Sequence, residues 1–379
     1  MEIKKQREII DQIDDKIASL YKERIQAVKK IGEEKKKTGT AVHDPNREDN
    51  IILRVTENAS AEEQLYLKRV FSSVFSASRA LETSSNLQNS ETVQKINYAL
   101  NNKKEYPVRA KVACQGVAGA YSGIAAKKLF EIADITYFKT FDAVFSAVEK
   151  GFCKYGVLPI ENNVAGSVNE VYDLMREHNF YIVKSVRIPV VHNLVANKGV
   201  KKEDIKEIIS HEQAIAQSRK YLETFKDVKV TAVANTAVAA ETVHDSGRLD
   251  IGALSSRECA SEYDLTIVEP SIQDSDGNYT RFILIAKDIE IFSSTSKISI
   301  MTTLSNKPGS LYQLLGKFYN AGINLTKLES RPINGTNFEF TFYFDFECDL
   351  SSPIVKSLIA ELENSGEKFT FLGAYSETI

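Results

Sequence analysis

Apolar residues recur at heptad-like spacing along the first 40 residues, at Ile3, Ile10, Ile13, Ile17, Leu20, Ala27 and Ile31, with mostly charged and polar residues between them. That spacing predicts one long helix to about Lys37, ended by Thr38-Gly39-Thr40. Asp44 followed by Pro45 predicts a second helix through about Asn58, because aspartate caps well and proline suits the first helical position. Ser60-Ala61-Glu62-Glu63 has the capping-box spacing and opens a third helix, with Leu67, Val70, Phe71, Val74 and Leu81 on one stripe. Three helices of such unequal length leave apolar surface that their own chain does not cover, so the pattern predicts a dimer through this segment.

Residues 84–107 are polar and read as a linker holding one short helix. The period then changes. Between Lys111 and Lys287 short apolar runs alternate with helical patterns, which predicts α/β layers with a largely parallel sheet and a ligand site at the carboxyl ends of its strands. Residues 297–375 give strand, helix, two strands, helix and strand, the βαββαβ order of a small ferredoxin-like domain. The fold class is therefore multidomain, with an all-α segment over 1–88, a two-lobed α/β domain over 106–288 and an α+β ferredoxin-like domain over 296–379.

Length agrees, since 379 residues exceed what one core usually serves. A net charge of −3 gives no electrostatic reason to expect nucleic acid or an anionic membrane, so the expected partner is a small molecule. Four cysteines without paired spacing indicate neither a metal site nor a disulfide framework. They suit a reducing cytoplasm. The charged stretch MEIKKQREIIDQ lacks an apolar signal core and no run approaches a membrane span, so a cytoplasmic location is expected.

In the first segment the seam is broken by Arg24. An arginine there can snorkel to solvent, but Lys35 lies eleven positions on, on the same face about 16 Å along the axis. Arg7 is rotated off that face and could serve the same pocket only from a second chain. Asp44, Arg47 and Glu48 open the second helix, and Ser78 and Glu82 lie one turn apart on the third. Together these residues resemble the active site of the all-helical chorismate mutases, whose intertwined dimers bind a dicarboxylate between helices. The resemblance implies that Arg24 and Lys35 hold carboxylate and ether oxygens, that Arg7 comes from the partner subunit, that Asp44, Arg47 and Glu48 grip the ring hydroxyl, and that Ser78 assists. Where that family usually has glutamine facing the ether oxygen this chain has Glu82, which can donate only when protonated. The rearrangement needs no nucleophile, only a compact conformer and donors aimed at the breaking C–O bond.

The middle segment holds Gly116–Ala126, the run Pro159-Ile160-Glu161-Asn162, Ser210-His211 with Gln217, and Asp276-Gly277-Asn278-Tyr279-Thr280-Arg281-Phe282. In order and content these closely resemble the prephenate dehydratase family. Valine and alanine at 117 and 118, Glu212 and Ser218 depart from its usual residues, all at flanking positions. The resemblance implies that Thr280 hydrogen-bonds the leaving hydroxyl and that Arg281 anchors a carboxylate. Glu161, Asn162 and Gln217 complete the expected catalytic set. Ser122, Ser210 and Thr236 are expected supporting donors, and His211 is either a substrate contact or a helix-start residue.

The last segment carries Asn306-Lys307-Pro308-Gly309-Ser310-Leu311, a helix start with free backbone N–H groups, and Leu328-Glu329-Ser330-Arg331-Pro332 at a strand end. It resembles the ACT domain of prephenate dehydratases, which implies phenylalanine binding by Asn306, Gly309, Ser310, Leu311, Glu329 and Ser330. Taken together the three segments resemble the bifunctional chorismate mutase/prephenate dehydratase family. The expected enzyme turns chorismate into prephenate and prephenate into phenylpyruvate without a cofactor or metal, as a homodimer or homotetramer inhibited by phenylalanine. Two alternatives stand beside it: a prephenate or arogenate dehydratase with a silent helical dimerisation segment, and a non-catalytic amino-acid sensor.

Overall fold

The computed structural model describes residues 2–40, 42, 44–84, 90–292, 295–333, 335, 339–365 and 367–379. The first helix, α1 (Glu2–Thr38), is continuous, and α2 (Pro45–Thr56) and α3 (Ala61–Ser84) follow as the capping signals predict. The capping box forms in full: Ser60 N–H donates to Glu63 at 2.8 Å and Glu63 N–H donates to the Ser60 hydroxyl at 3.3 Å. The expected linker contains α4 (Glu91–Asn101); residues 85–89 of it lie outside the described residues.

The α/β segment runs β1 (Arg109–Gln115), α5 (Tyr121–Leu129), β2 (Ile132–Phe138), α6 (Phe141–Glu149), β3 (Tyr155–Asn162), β4 (Gly166–Ser167), α7 (Asn169–Leu174), β5 (Tyr181–Pro189), β6 (Asn193–Ala196), β7 (Glu207–Ser210), α8 (Glu212–Ala216), α9 (Arg219–Leu222), β8 (Lys229–Ala232), α10 (Thr236–Ser246), β9 (Ile251–Ser255), α11 (Arg257–Glu262), β10 (Thr266–Glu269) and β11 (Tyr279–Ala286). After it come β12 (Lys297–Leu304), α12 (Ser310–Asn320), β13 (Leu325–Pro332), β14 (Phe340–Glu347), α13 (Pro353–Glu363), β15 (Phe369–Tyr375) and β16 (Glu377–Thr378).

The strands of the middle segment form two sheets, ordered β16-β5-β11-β3-β1-β2 and β10-β6-β9-β7-β8. Both are mixed, where the sequence pattern predicts a largely parallel sheet. β1 pairs in parallel with β2 and β3, but β11 is antiparallel to both β3 and β5, and β6 is antiparallel to β9 and β10. The reason is connectivity: the chain leaves the first sheet after β5 and returns with β11, which inserts antiparallel between β5 and β3. Separate apolar cores fill the two lobes, one around Val112, Val157, Val186 and Leu284 and others around Ala239, Ala253, Leu194 and Ile208.

The last segment keeps the predicted order, with sheet order β13-β14-β12-β15. Its final strand runs on past the domain. Gly373 passes so near β5 that a Cβ would stand 2.1 Å from the Ile182 carbonyl oxygen, and its φ of 147° lies where other residues are strained. β16 then adds in parallel to β5.

The chain groups into two compact units, residues 1–101 with 300–371 and residues 102–299 with 372–379. In the first, α13 packs on α3 and α4 with Val355, Leu358, Ile359 and Leu362 buried. Glu363 at its end caps α4, accepting from the Thr92 N–H at 3.1 Å and the Thr92 hydroxyl at 2.6 Å. The helical segment is therefore not a separate body from the last domain, as its sequence boundaries suggest. In contrast, α1 buries little: Ile10, Ile13, Ile17 and Leu20 are all exposed, Ile17 at 58% and Leu20 at 64%. Among the described residues no helix is long and apolar enough to cross a membrane.

Candidate active sites

The stretches Pro159–Asn162 and Thr280–Phe282 lie far apart in sequence and side by side in the second unit. In the antiparallel pairing of β11 with β3, Thr280 faces Asn162 and Arg281 faces Glu161, with a bulge immediately after. Asn162 Nδ2 donates to Thr280 Oγ1 at 3.0 Å, to the Tyr279 carbonyl at 3.1 Å and to Asn278 Oδ1 at 2.6 Å. Asn278 Nδ2 donates to Gln217 Oε1 at 3.0 Å, and His192 Nε2 lies 3.0 Å from the same oxygen. A hydrogen-bonded chain thus runs from Thr280 and Asn162 on the first sheet to Gln217 at the end of α8 in the other lobe. It passes through Asn278 on one crossover and ends at His192 on the other. Thr280, Asn162 and Gln217 are half-buried, whereas Asn278 and His192 are buried. Burial holds the His192 pKa below the ordinary histidine value, partly opposed by its bond to Gln217.

Arg281 differs from expectation. It is 5% exposed, and its Nε stands 2.9 Å from Glu161 Oε1. Successive residues of a strand point to opposite faces, so Arg281 and Glu161 share the face that Thr280 and Asn162 do not. The guanidinium expected to anchor a substrate carboxylate is an internal counterion of Glu161.

Two of the other expected donors serve the backbone. Ser122 donates to the Gln115 carbonyl, and Ser210, fully buried, donates to the Leu254 carbonyl at 2.7 Å across to β9. His211 caps α8, its Nδ1 accepting from Gln213 N–H at 3.3 Å. Thr236 opens α10, and its carbonyl accepts from the Ser255 hydroxyl at 2.8 Å. Sequence reasoning missed His192 and Asn278; the signal for the first is a histidine inside the apolar run Val190-Val191-His192-Asn193-Leu194.

In the first unit α1 and α3 bring two pairs together. Arg24 donates to the Ser78 hydroxyl, and Lys35 Nζ donates to Glu82 Oε2 at 2.9 Å and to the Val42 carbonyl at 2.7 Å. The Glu82 carboxylate, expected to donate, here accepts. Gly32 makes the close approach possible: a Cβ there would lie 3.2 Å from the Glu82 Cα. Glu48 is held by Arg79, a residue the sequence reading did not single out. Asp44 caps α2 by accepting from the Arg47 N–H at 3.0 Å, and Arg47 is exposed. Arg7 is exposed seventeen residues before Arg24 on the same helix, about 25 Å along it at 1.5 Å per residue.

In the last segment Gly309 caps α12 with φ 89°, followed by Ser310 and Leu311, and Asn306 is exposed in the turn before it. Glu329 is half-buried and Ser330 exposed on β13, an edge strand of its sheet, with Lys327 Nζ 3.8 Å from Glu329 Oε2. Among the described residues no group of three or more His, Cys, Asp or Glu side chains is placed to hold a metal ion.

Known proteins fall into the same pattern. Residues 6–83 match the chorismate mutase type II family and residues 112–290 the prephenate dehydratase family. The bifunctional chorismate mutase/prephenate dehydratase of Aquifex aeolicus is 33% identical over 386 aligned positions, covering 100% of this chain and 99% of that one. Arogenate dehydratase/prephenate dehydratase 1 of Arabidopsis thaliana is 37% identical over 283, covering 70% of this chain and 72% of its own length. The prephenate dehydratase of Arthrobacter aurescens, solved in complex with L-Phe, shares the fold with TM-score 0.64 at 24% identity, over 70% of this chain and 90% of its own. With both family segments present in order and a relative aligned from end to end, the chain belongs to the bifunctional chorismate mutases/prephenate dehydratases.

Proposed function

We propose that the two reactions of this family run at the two polar clusters just described. Chorismate binds at α1 and α3, where Arg24 and Lys35 meet its carboxylates and ether oxygen. Lys35 already spends two donations on Val42 and Glu82, which fixes its ammonium and leaves one N–H for the substrate. Arg7 lies too far along α1 to reach the same substrate, so it serves the site of a second copy. The uncovered α1 seam supports that pairing, because a contiguous apolar stripe of this kind marks an association surface.

Prephenate then loses its ring carboxylate as CO2. The electron pair released aromatises the ring and expels the hydroxyl, which departs as water on taking up a proton. Thr280 donates a hydrogen bond to that departing oxygen, where charge develops. The observation that carries this reading is the register of Thr280 against Asn162. Because prephenate is made on the same chain, it is the dehydratase substrate, in preference to arogenate. The last segment, an ACT-type regulatory domain in this reading, binds phenylalanine. The exposed start of α12 offers N–H donors to its carboxylate, and Glu329 and Ser330 offer oxygen acceptors to its ammonium. The enzyme works without a cofactor in the cytoplasm as a homodimer or homotetramer.

Purified protein supplied with chorismate alone should accumulate prephenate transiently and then phenylpyruvate. Phenylalanine should slow the second appearance. Prephenate accumulating with no phenylpyruvate would refute the site at β3 and β11.

A further inference from the structure

The hydrogen-bonded chain across the lobes has only one consistent direction, and that direction assigns roles to residues outside the expected site. Asn162 Oδ1 accepts from the backbone N–H groups of Val164 at 3.0 Å and Ala165 at 2.8 Å. Backbone N–H groups can only donate, so this end of the side chain is oxygen and the other is NH2. That NH2 meets the Tyr279 carbonyl, which can only accept, confirming the same orientation. The atom of Asn278 facing it must therefore be oxygen, which turns the Asn278 NH2 toward Gln217. Gln217 in turn presents its oxygen to Asn278 and His192, so His192 must carry a proton on Nε2.

His192 Nδ1 fixes the same tautomer independently. It is buried with no hydrogen-bond partner among the described residues. A proton on Nδ1 would be a buried, unpaired donor and would leave two acceptors, Nε2 and Gln217 Oε1, facing each other. The Nε2–H tautomer avoids both penalties.

We propose that His192 and Asn278 are positioning residues of the dehydratase site, which hold the Gln217 oxygen from behind so that its NH2 is presented to prephenate as a donor. The Gln217 NH2 has no partner among the described residues, and Gln217 is only half-buried. The same directionality acts at the other end. Asn162 donates to Thr280 Oγ1, so the hydroxyl's own proton is directed elsewhere and is available to the departing oxygen. Without the two buried clamps the Gln217 amide can turn over and present an acceptor where the site needs a donor. The proposal rests on the reading that Thr280 and Asn162 mark the dehydratase site.

The test is a double-mutant cycle on the full-length protein, following kcat and KM for prephenate, with mutase turnover in the same preparations as the check on folding. His192→Phe keeps a planar ring and removes the donor; it should lower dehydratase kcat/KM roughly tenfold, the size of one lost hydrogen bond to a buried acceptor. His192→Gln, which can again offer an N–H, should recover most of that loss. In a Gln217→Ala background His192→Phe should cost less than about twofold more, because the group it orients is gone. Asn278→Asp gives a second route: a carboxylate still accepts from Asn162 but cannot donate to Gln217, so the same loss should appear and vanish in the Gln217→Ala background. Equal fold losses with and without Gln217, or a His192→Phe enzyme with wild-type kcat/KM, would overturn the positioning role. Thr280→Val separates failure of the site from failure of the positioning role. If it leaves turnover intact, the site itself is misplaced and the proposal falls with it; if it abolishes turnover while the cycle is additive, only the role of His192 and Asn278 fails.

Discussion

Replacing Thr280 by valine isolates one hydroxyl at the proposed dehydratase site. The substitution keeps the branched shape and the strand preference of threonine. Its cost to folding can be worked from the contacts. Thr280 Oγ1 accepts one bond, from Asn162 Nδ2, and that NH2 also donates to the Tyr279 carbonyl at 3.1 Å and to Asn278 Oδ1 at 2.6 Å. Its two hydrogens therefore keep partners when the hydroxyl is removed. No buried donor is orphaned, and the loss of stability should stay within about 1 kcal/mol. The catalytic loss should be larger. Removing one preorganised donor from a developing oxyanion costs about 2.7–4 kcal/mol, or roughly 100- to 1000-fold in kcat. The assay compares phenylpyruvate formation from prephenate with prephenate formation from chorismate in the same preparation. A fall of that size in the first rate, with the second rate and the melting temperature nearly unchanged, is the expected result. Dehydratase kcat within about threefold of wild type would remove Thr280 from the chemistry, and a parallel fall in both rates would mean that the substitution acts through folding.

Arg24→Ala should lower chorismate turnover by several orders of magnitude while prephenate turnover survives, which steady-state rates on each substrate will show. Gly32→Ala should reduce mutase activity although alanine favours helix by about 1 kcal/mol: its Cβ would meet the Glu82 backbone at 3.2 Å, and overpacking of that kind costs about 1–3 kcal/mol. Unchanged mutase kinetics would show that α1 and α3 separate freely there. Glu207, bonded first to Lys229 and also to Arg248, has its pKa lowered to about 2. Stability from such a depressed carboxylate is present above its unfolded pKa and lost as pH falls through 2, so Glu207→Gln should be less stable than wild type at pH 7, by up to about 1 kcal/mol in denaturant unfolding, and converge with it between pH 4.5 and 2. Ser330→Ala should raise the phenylalanine concentration for half-inhibition about threefold or more, measured by titrating dehydratase activity.

Local signals predicted most elements because each rests on near neighbours in sequence. The capping box at Ser60 and Glu63, the cap at Asp44 and the βαββαβ order all appear where spacing put them. What the sequence left illegible depends on distant partners. The parity of a strand puts Thr280 and Arg281 on opposite faces, but that Arg281 meets Glu161 follows only from the register between β3 and β11. The same holds for Arg79 with Glu48, and for Glu363 at the start of α4, pairs joined by packing with no spacing rule to announce them. His192 and Asn278 lie on crossovers between sheets, where neither helical nor strand periodicity applies.

The return of β16 to the edge of β5 sets an order on biosynthesis. Ser185 N–H bonds the Ser376 carbonyl at 3.1 Å, and Arg187 on β5 reaches Glu377 at 2.7 Å, yet the partners belong to a stretch that follows residues 300–371 in the chain. A nascent chain that has completed β11 therefore has the remaining strands of its first sheet but carries β5 as an open edge until the whole intervening domain has been made. At about 5–20 residues per second that interval lasts from several seconds to more than ten, during which an unpaired edge is a template for mispairing with another chain. β5 meets that exposure with Lys184 and Arg187 along its length, and charged side chains of this kind oppose edge-to-edge association until the covering strand arrives.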